Sequence, residues 1–295
     1  MSQAAVLSPA DAEAVASARK GGAWRFVRRN PTLVAGTVIL VLIAAIALLA
    51  PLIAGDPVAM KPVNRLKPPS AQNLFGTDHL GRDVWARTVY GARISLVVGL
   101  SVAVISMAIG LLIGLLAGFI KPVETIVMRL MDGLMAIPAI LLAIALVSLT
   151  KTSVLVVIAA ILIPEIPRVV RLVRSVVLSV REQPYVEAAV ASGTRLQKIL
   201  RRHILPATLP PLIVQATYIA ASAILIEAAL SFLGAGTPPE IPTWGNMIAS
   251  SRVYLGLAPW TIFCPGLALA LVVLAVNLVG DGLRDRLDPR LARRM

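Results

Sequence analysis

Six apolar stretches organise this chain: residues 33–54, 94–120, 126–149, 153–170, 207–234 and 259–280. A helix needs about 20 apolar residues to cross a bilayer, and no segment alternates polar and apolar positions as a strand would. The pattern predicts an all-α integral membrane protein with six transmembrane helices. The first two stretches carry no charge. The third holds Arg129 and Asp132, the fifth holds Glu227, and the sixth stops at Asp281. The fourth is shorter and interrupted by PEIPR at 164–168. An export signal has an apolar core of roughly 7–15 residues; residues 33–54 form a longer run, which predicts an uncleaved first span.

Composition agrees with this pattern. The chain is 58% hydrophobic and 15% charged, with a mean hydropathy of +0.85, whereas a soluble domain is nearer half apolar and a quarter charged. The net charge of +13 does not indicate nucleic acid, because the basic residues flank apolar runs. With Cys264 as the single cysteine, no disulfide can form within the chain.

Basic residues also orient the spans. Cytoplasmic segments carry the excess of Lys and Arg. Five lie before the first span, eight between Arg168 and Arg202, and five after residue 281. Both termini are therefore expected in the cytoplasm, with 1–32 and 282–295 as tails. Residues 55–93 form an external loop and 94–281 a five-helix core. The external loop runs against the charge rule, since it holds six basic residues, offset in part by Asp56, Asp78 and Asp83. KPPS at 67–70 and TPPEIPTW at 237–244 mark the two long extramembrane loops.

Several residues stand out within the apolar frame. Gly110, Gly114 and Gly118 form a tandem GxxxG with Ser106 on the same face. Small residues let membrane helices approach closely, either within this chain or against a partner. Arg129 and Asp132 are spaced to pair on one helical turn, as a structural pair or a gate. Glu227 lies deep in its span, where a carboxylate faces protein or a water-filled path. Pro138, Pro164 and Pro167 can kink the third and fourth spans. The segment 182–206 is polar and basic. Its EAAVA at 187–191 favours helix, Gly193 can end that helix in a left-handed residue, a second amphipathic helix follows from Leu196, and Pro206 marks the next boundary.

Glu187-Ala188-Ala189, then Gly193, then Ile204-Leu205-Pro206, resembles the EAA loop of bacterial ATP-binding-cassette importer permeases. FGTDHLGRDVWARTVYGARISLVVG (75–99), MRLMDGLMAIPAILLAI (128–144) and EAALSFLGAGTPPEIPTWGNMI (227–248) are similar to the C-type permease of the dipeptide, oligopeptide and nickel group. The resemblance runs from about Arg25 to the C-terminus. It implies a type I importer permease fold in the bacterial inner membrane and a coupling helix seated on an ATPase subunit, with Glu187, Ala188, Ala189, Gly193, Leu205 and Pro206 as the ATPase-coupling positions. It also implies a B-type permease partner, two ATPase subunits carrying the ATP and Mg, and an external solute-binding protein.

The chain has no GxxxxGK[ST] phosphate loop, so ATP hydrolysis is expected elsewhere and no cofactor is expected on this chain. His79 and His203 stand apart, without a metal-ligand set, and no serine or cysteine has an ordered base; no catalytic residue is predicted. Peptide import is the leading expectation. A nickel-complex importer, an ion-driven transporter using Asp132 or Glu227, and a membrane scaffold are the alternatives.

Overall fold

The computed structural model describes residues 28, 30–150 and 152–287. The expectations for the two tails, beyond residues 28 and 30–32 at one end and 282–287 at the other, and for Lys151 lie outside these residues. Among the described residues the regular elements are helical, and the extended pairing consists of the isolated bridge between Thr77 and Asp83.

Helix α1 (Pro31–Leu48) opens with proline in its first turn, where a missing N–H costs nothing, and a short α2 (Ala50–Ile53) continues it past Leu49. Helix α3 (Val84–Phe119) has 36 residues, about 54 Å at 1.5 Å per residue. It starts ten residues before the expected second span because Asp83 caps it: the carboxylate accepts from the Trp85 N–H at 3.1 Å. Its extra turns pack into a cap of loop residues beyond the long apolar run.

The expected third span divides into α4 (Lys121–Ala136) and α5 (Ala139–Ser148), bent by 86°. Pro138 is the cause. The residue before a proline is driven out of the helical region, and Ile137 is extended at φ −91°, ψ 128°. Helix α6 (Val154–Arg181) begins at Ser153, whose hydroxyl accepts from Val156 N–H, and runs through Pro164 and Pro167 without ending.

Next come α7 (Pro184–Ala191), α8 (Leu196–Ile199), a π turn (Leu200–Ile204) and α9 (Leu205–Phe232). The last three form one run, Leu196–Phe232, of 37 residues. Pro206 therefore does not end a helix as the sequence predicts. Proline cannot bond the carbonyl four residues back and its ring collides with it; the wider π turn just before Pro206 accommodates that defect. Helices α10 (Trp244–Ser251) and α11 (Trp260–Leu287) complete the chain.

Among the described residues four helices, α1, α3, the run Leu196–Phe232 and α11, are long and apolar enough to cross a membrane, and the bent α4–α5 pair makes up to five. The expected count of six is not reached. Helix α6 has the length, but Glu165, Arg168 and Arg171 fall within its first 18 residues.

Two packing features position the rest. Gly110, Gly114 and Gly118 lie against Val169, Val173 and Val177 of α6; a Cβ on each glycine would stand 2.5, 2.7 and 2.6 Å from the facing valine Cβ. The glycine face is thus filled by this chain itself, with Ser106 buried beside it and donating to Ala103 O at 3.1 Å. In a bilayer, such dispersion contacts replace the hydrophobic drive that lipid does not supply.

The second feature is the cap, which accounts for two of the basic residues of 55–93. Arg82 and Asp78 form a buried ion pair at 2.6 Å, Arg87 lies 3.9 Å from the same carboxylate, and Arg87 donates to Pro57 O at 3.2 Å. Trp244 Nε1 donates to Thr88 O at 2.9 Å and Trp260 Nε1 to Thr77 O at 3.2 Å. Two of the six cations are therefore interior to a folded cap and do not act as free topological charges.

Candidate functional site

The loop after α6 is built as a clamp. Pro184 fixes the first turn of α7, and Glu187 sits in that turn, where a carboxylate complements the positive helix end. At the other end Gly193 N–H bonds Val190 O at 2.9 Å and Thr194 N–H bonds Ala189 O at 3.0 Å. This is the paired closure of a Schellman turn, which needs a left-handed residue, and Gly193 has φ +70°. The chain then turns into the Leu196–Phe232 run.

Three buried side chains, Val186, Ile199 and Ile204, hold the clamp to the bundle. What faces outward is different in character. Tyr185, Glu187, Ala188, Val190, Gly193 and Leu196 are exposed, and Ala189 is half-buried. Leu205 is half-buried and Pro206 exposed at the start of α9. Tyr185 leans on His203 at 5.7 Å between ring centres. Arg195, Lys198, Arg201 and Arg202 line a basic groove beside them. The result is an apolar, small-residue ridge with a cationic flank, on elements fixed from behind.

The expected Arg129–Asp132 pair does not form. Asp132 instead accepts from Arg171 of α6 at 2.6 Å, because the bend at Pro138 lays α4 alongside α6. Arg129 makes no ion pair among the described residues. Helix α6 carries a ladder that sequence reasoning missed: Arg168 pairs with the buried Glu165 at 2.8 Å, Arg171 with Asp132, and Arg174 with Glu124 through Nε at 2.8 Å. The three arginines recur every third residue, a signal present in the sequence but readable there as orientation charge alone.

Glu227 is fully buried. One carboxyl oxygen accepts from Ser231 at 2.9 Å and the other has no hydrogen-bond partner. Beside it opens a cleft of about 910 Å³, its wall including His79, Arg82, Ser231, Thr237, Asn246 and Arg252. Asn246 fixes one rim by donating to Thr237 O at 2.9 Å and Pro238 O at 3.1 Å. His79 stacks on Tyr254 at 5.4 Å. Burial holds the imidazole below its usual pKa, against the opposing pull of Asp78. The structure thus separates the predicted residues into an outward ridge (187–206), an internal seam (106–118), a charge ladder in the second half of α6, and a sealed carboxyl beside the cleft.

Comparison with known proteins bears on the whole arrangement. Residues 110–293 match the family described as binding-protein-dependent transport system inner membrane component, and residues 21–69 match the N-terminal TM domain of oligopeptide transport permease C. The chain is 60% identical to the "Probable peptide ABC transporter permease protein y4tQ" of Sinorhizobium fredii, over 92% of this chain and 93% of that one. It is 43% identical to the dipeptide transport system permease protein DppC of Alkalihalophilus pseudofirmus, over 91% and 89%. It is 36% identical to the oligopeptide transport system permease protein OppC of Bacillus subtilis, over 99% and 98%. Among solved structures, the MetNI methionine ABC transporter in inward facing conformations superposes with a TM-score of 0.56 at 21% identity, over 68% of this chain and 96% of that one. That likeness concerns the fold.

Proposed function

Since the chain belongs to the family of binding-protein-dependent transport system inner membrane components, we propose that it is the C-type permease of a peptide importer, driven by ATPases that seat on the ridge at 184–206. The peptide class follows from the relatives, whose names specify peptides, dipeptides and oligopeptides. A second permease completes the pathway, two ATPase subunits carry ATP and Mg, and an external binding protein delivers cargo. The chain lies in the inner membrane with both termini inside, and it hydrolyses nothing itself.

The observation that carries this reading is the continuity of Leu196–Phe232. One rod of about 55 Å begins at the ridge and ends beside the cleft. A push on α7 passes through the Schellman turn at Gly193 into α8, and the buried Ile199 and Ile204 prevent the turn from sliding. The far end of the rod carries Glu227 and Ser231. ATP binding on partner subunits then biases two arrangements of the bundle by their different free energies.

The test is Gly193→Pro. Proline locks φ near about −65°, which cannot follow the +70° at this position, and it deletes the N–H that bonds Val190 O. Expected is loss of ATPase co-purification and of peptide uptake, with membrane insertion retained. Unchanged co-purification would show that the ridge is not the ATPase seat.

A further inference from the structure

The outward stripe of α6 in its second half is wholly polar: Arg168, Arg171, Ser175 and Ser179 are exposed at successive helical turns, while Val169, Val173 and Val177 face inward. The Arg168 and Arg171 side chains are 46% and 43% exposed, and Asp132 is 58% exposed. Counting about 1.5 Å per residue from Val154, Arg168 and Arg171 lie roughly 21 and 25 Å along the helix.

The local chemistry says what this surface meets. Beside it a cavity of about 400 Å³ is lined by Lys121, Glu124, Arg129, Asp132 and Arg174. Cations exceed anions there, and Arg129 has no ion-pair partner among the described residues. Cations alone would suit an anion; with Asp132 and Glu124 in the same cluster, a ligand carrying both an anionic group and an ammonium satisfies both signs, as a free peptide does.

Resting on the peptide-import reading, we propose that Arg129, Arg171 and Asp132 form a docking site on the pathway wall for the charged ends of an unmodified short peptide. The guanidinium groups take the terminal carboxylate, which their planar donor pairs fit, and Asp132 takes the terminal ammonium. In the unliganded chain Arg171 and Asp132 satisfy each other; an arriving peptide exchanges that pair for two pairs of its own. The site reads the ends common to all free peptides and is indifferent to their side chains.

The test uses the full transporter, reconstituted with its partner permease, ATPases and binding protein in liposomes of neutral lipid. Uptake of dialanine, its C-terminal amide and its N-acetyl form is measured, each divided by its affinity for the binding protein alone. Arg129→Gln breaks no ion pair, and Asp132→Asn/Arg171→Gln removes both partners together and strands neither charge. Arg129→Gln is expected to lower uptake of dialanine and of its N-acetyl form about tenfold, the scale of one charged hydrogen bond, and to leave uptake of the C-terminal amide unchanged, whereas Asp132→Asn/Arg171→Gln lowers all three, with subunit co-purification intact. Wild-type dialanine uptake in both variants, or an equal loss for the amide and the N-acetyl form in Arg129→Gln, overturns the site. A defect that appears only as lost stimulation by phosphatidylglycerol assigns the cluster to lipid and also overturns it. If the wild-type complex takes up no peptide at all, the import reading fails, and the site with it.

Discussion

Gly114 lies so close to Val173 that a Cβ on the glycine would stand 2.7 Å from the valine Cβ and 3.0 Å from the backbone oxygen of Val170. Neither atom can rotate away: the valine Cβ is fixed to its Cα and the carbonyl belongs to the helix. Gly114→Leu is therefore expected to separate α3 from α6 and not merely to crowd them. Overpacking of this kind costs about 1–3 kcal/mol or more. Thermal unfolding of the purified complex checks it, with Gly133→Leu as control, since nothing lies within 4 Å of a Cβ built there.

The Asp132–Arg171 pair joins two helices but stays about half exposed. Exposed pairs contribute only about 0.2–1 kcal/mol. A double-mutant cycle with Asp132→Asn and Arg171→Gln, read by thermal unfolding, is expected to give a coupling within that range. The Glu165–Arg168 pair has one fully buried member, and Arg168→Gln alone is expected to cost more, because it leaves a buried carboxylate uncompensated.

His79 supplies the pH dependence. Its pKa lies below the ordinary imidazole value because burial disfavours the charged ring, with Arg82, Arg65 and Arg87 acting the same way and Asp78 opposing. Above about 6.5 the imidazole is neutral both folded and unfolded. As the pH falls below that, the unfolded chain takes up the proton first, so stability is lost with acidification. The melting temperature should fall between pH 7 and pH 5, and His79→Phe, which can keep a stack on Tyr254, should flatten that part of the profile.

Glu227 offers a test of shape against charge. Glu227→Gln keeps an acceptor for Ser231 and removes the need to bury an anion, so near-normal folding is expected. Glu227→Lys places an ammonium where the second carboxyl oxygen already has no partner; the variant is expected not to accumulate in the membrane. Immunoblots of membrane fractions distinguish the two.

How much of this was legible in the sequence depends on whether a residue's partner is local. The Gly193 turn is local, because a left-handed glycine after a helix is decided by the five residues around it. The break at Pro138 is local for the same reason, although its 86° amplitude is set by what α4 and α5 pack against. Asp132 looked like a partner for Arg129 because helical spacing brings them together; the partner it takes is 39 residues away, which only the bend makes near. Arg82 and Arg87 read as surface charge until the cap that buries them is seen. The glycine seam was legible as close packing, but not the valines that fill it. Pro206 was misjudged because a proline defect can be absorbed by a wider turn as well as by a helix end.

That wider turn has a further consequence. Each α-helical residue advances the side-chain direction by about 100°, and the five residues Leu200–Ile204 lie between the anchored ridge and the span that carries Glu227. Deleting or inserting one residue there would rotate the whole downstream span against its neighbours and swing Glu227 out of its sealed position towards lipid. The rod is thus keyed in angle as well as length, with the ridge at one end and Glu227 at the other held in one register.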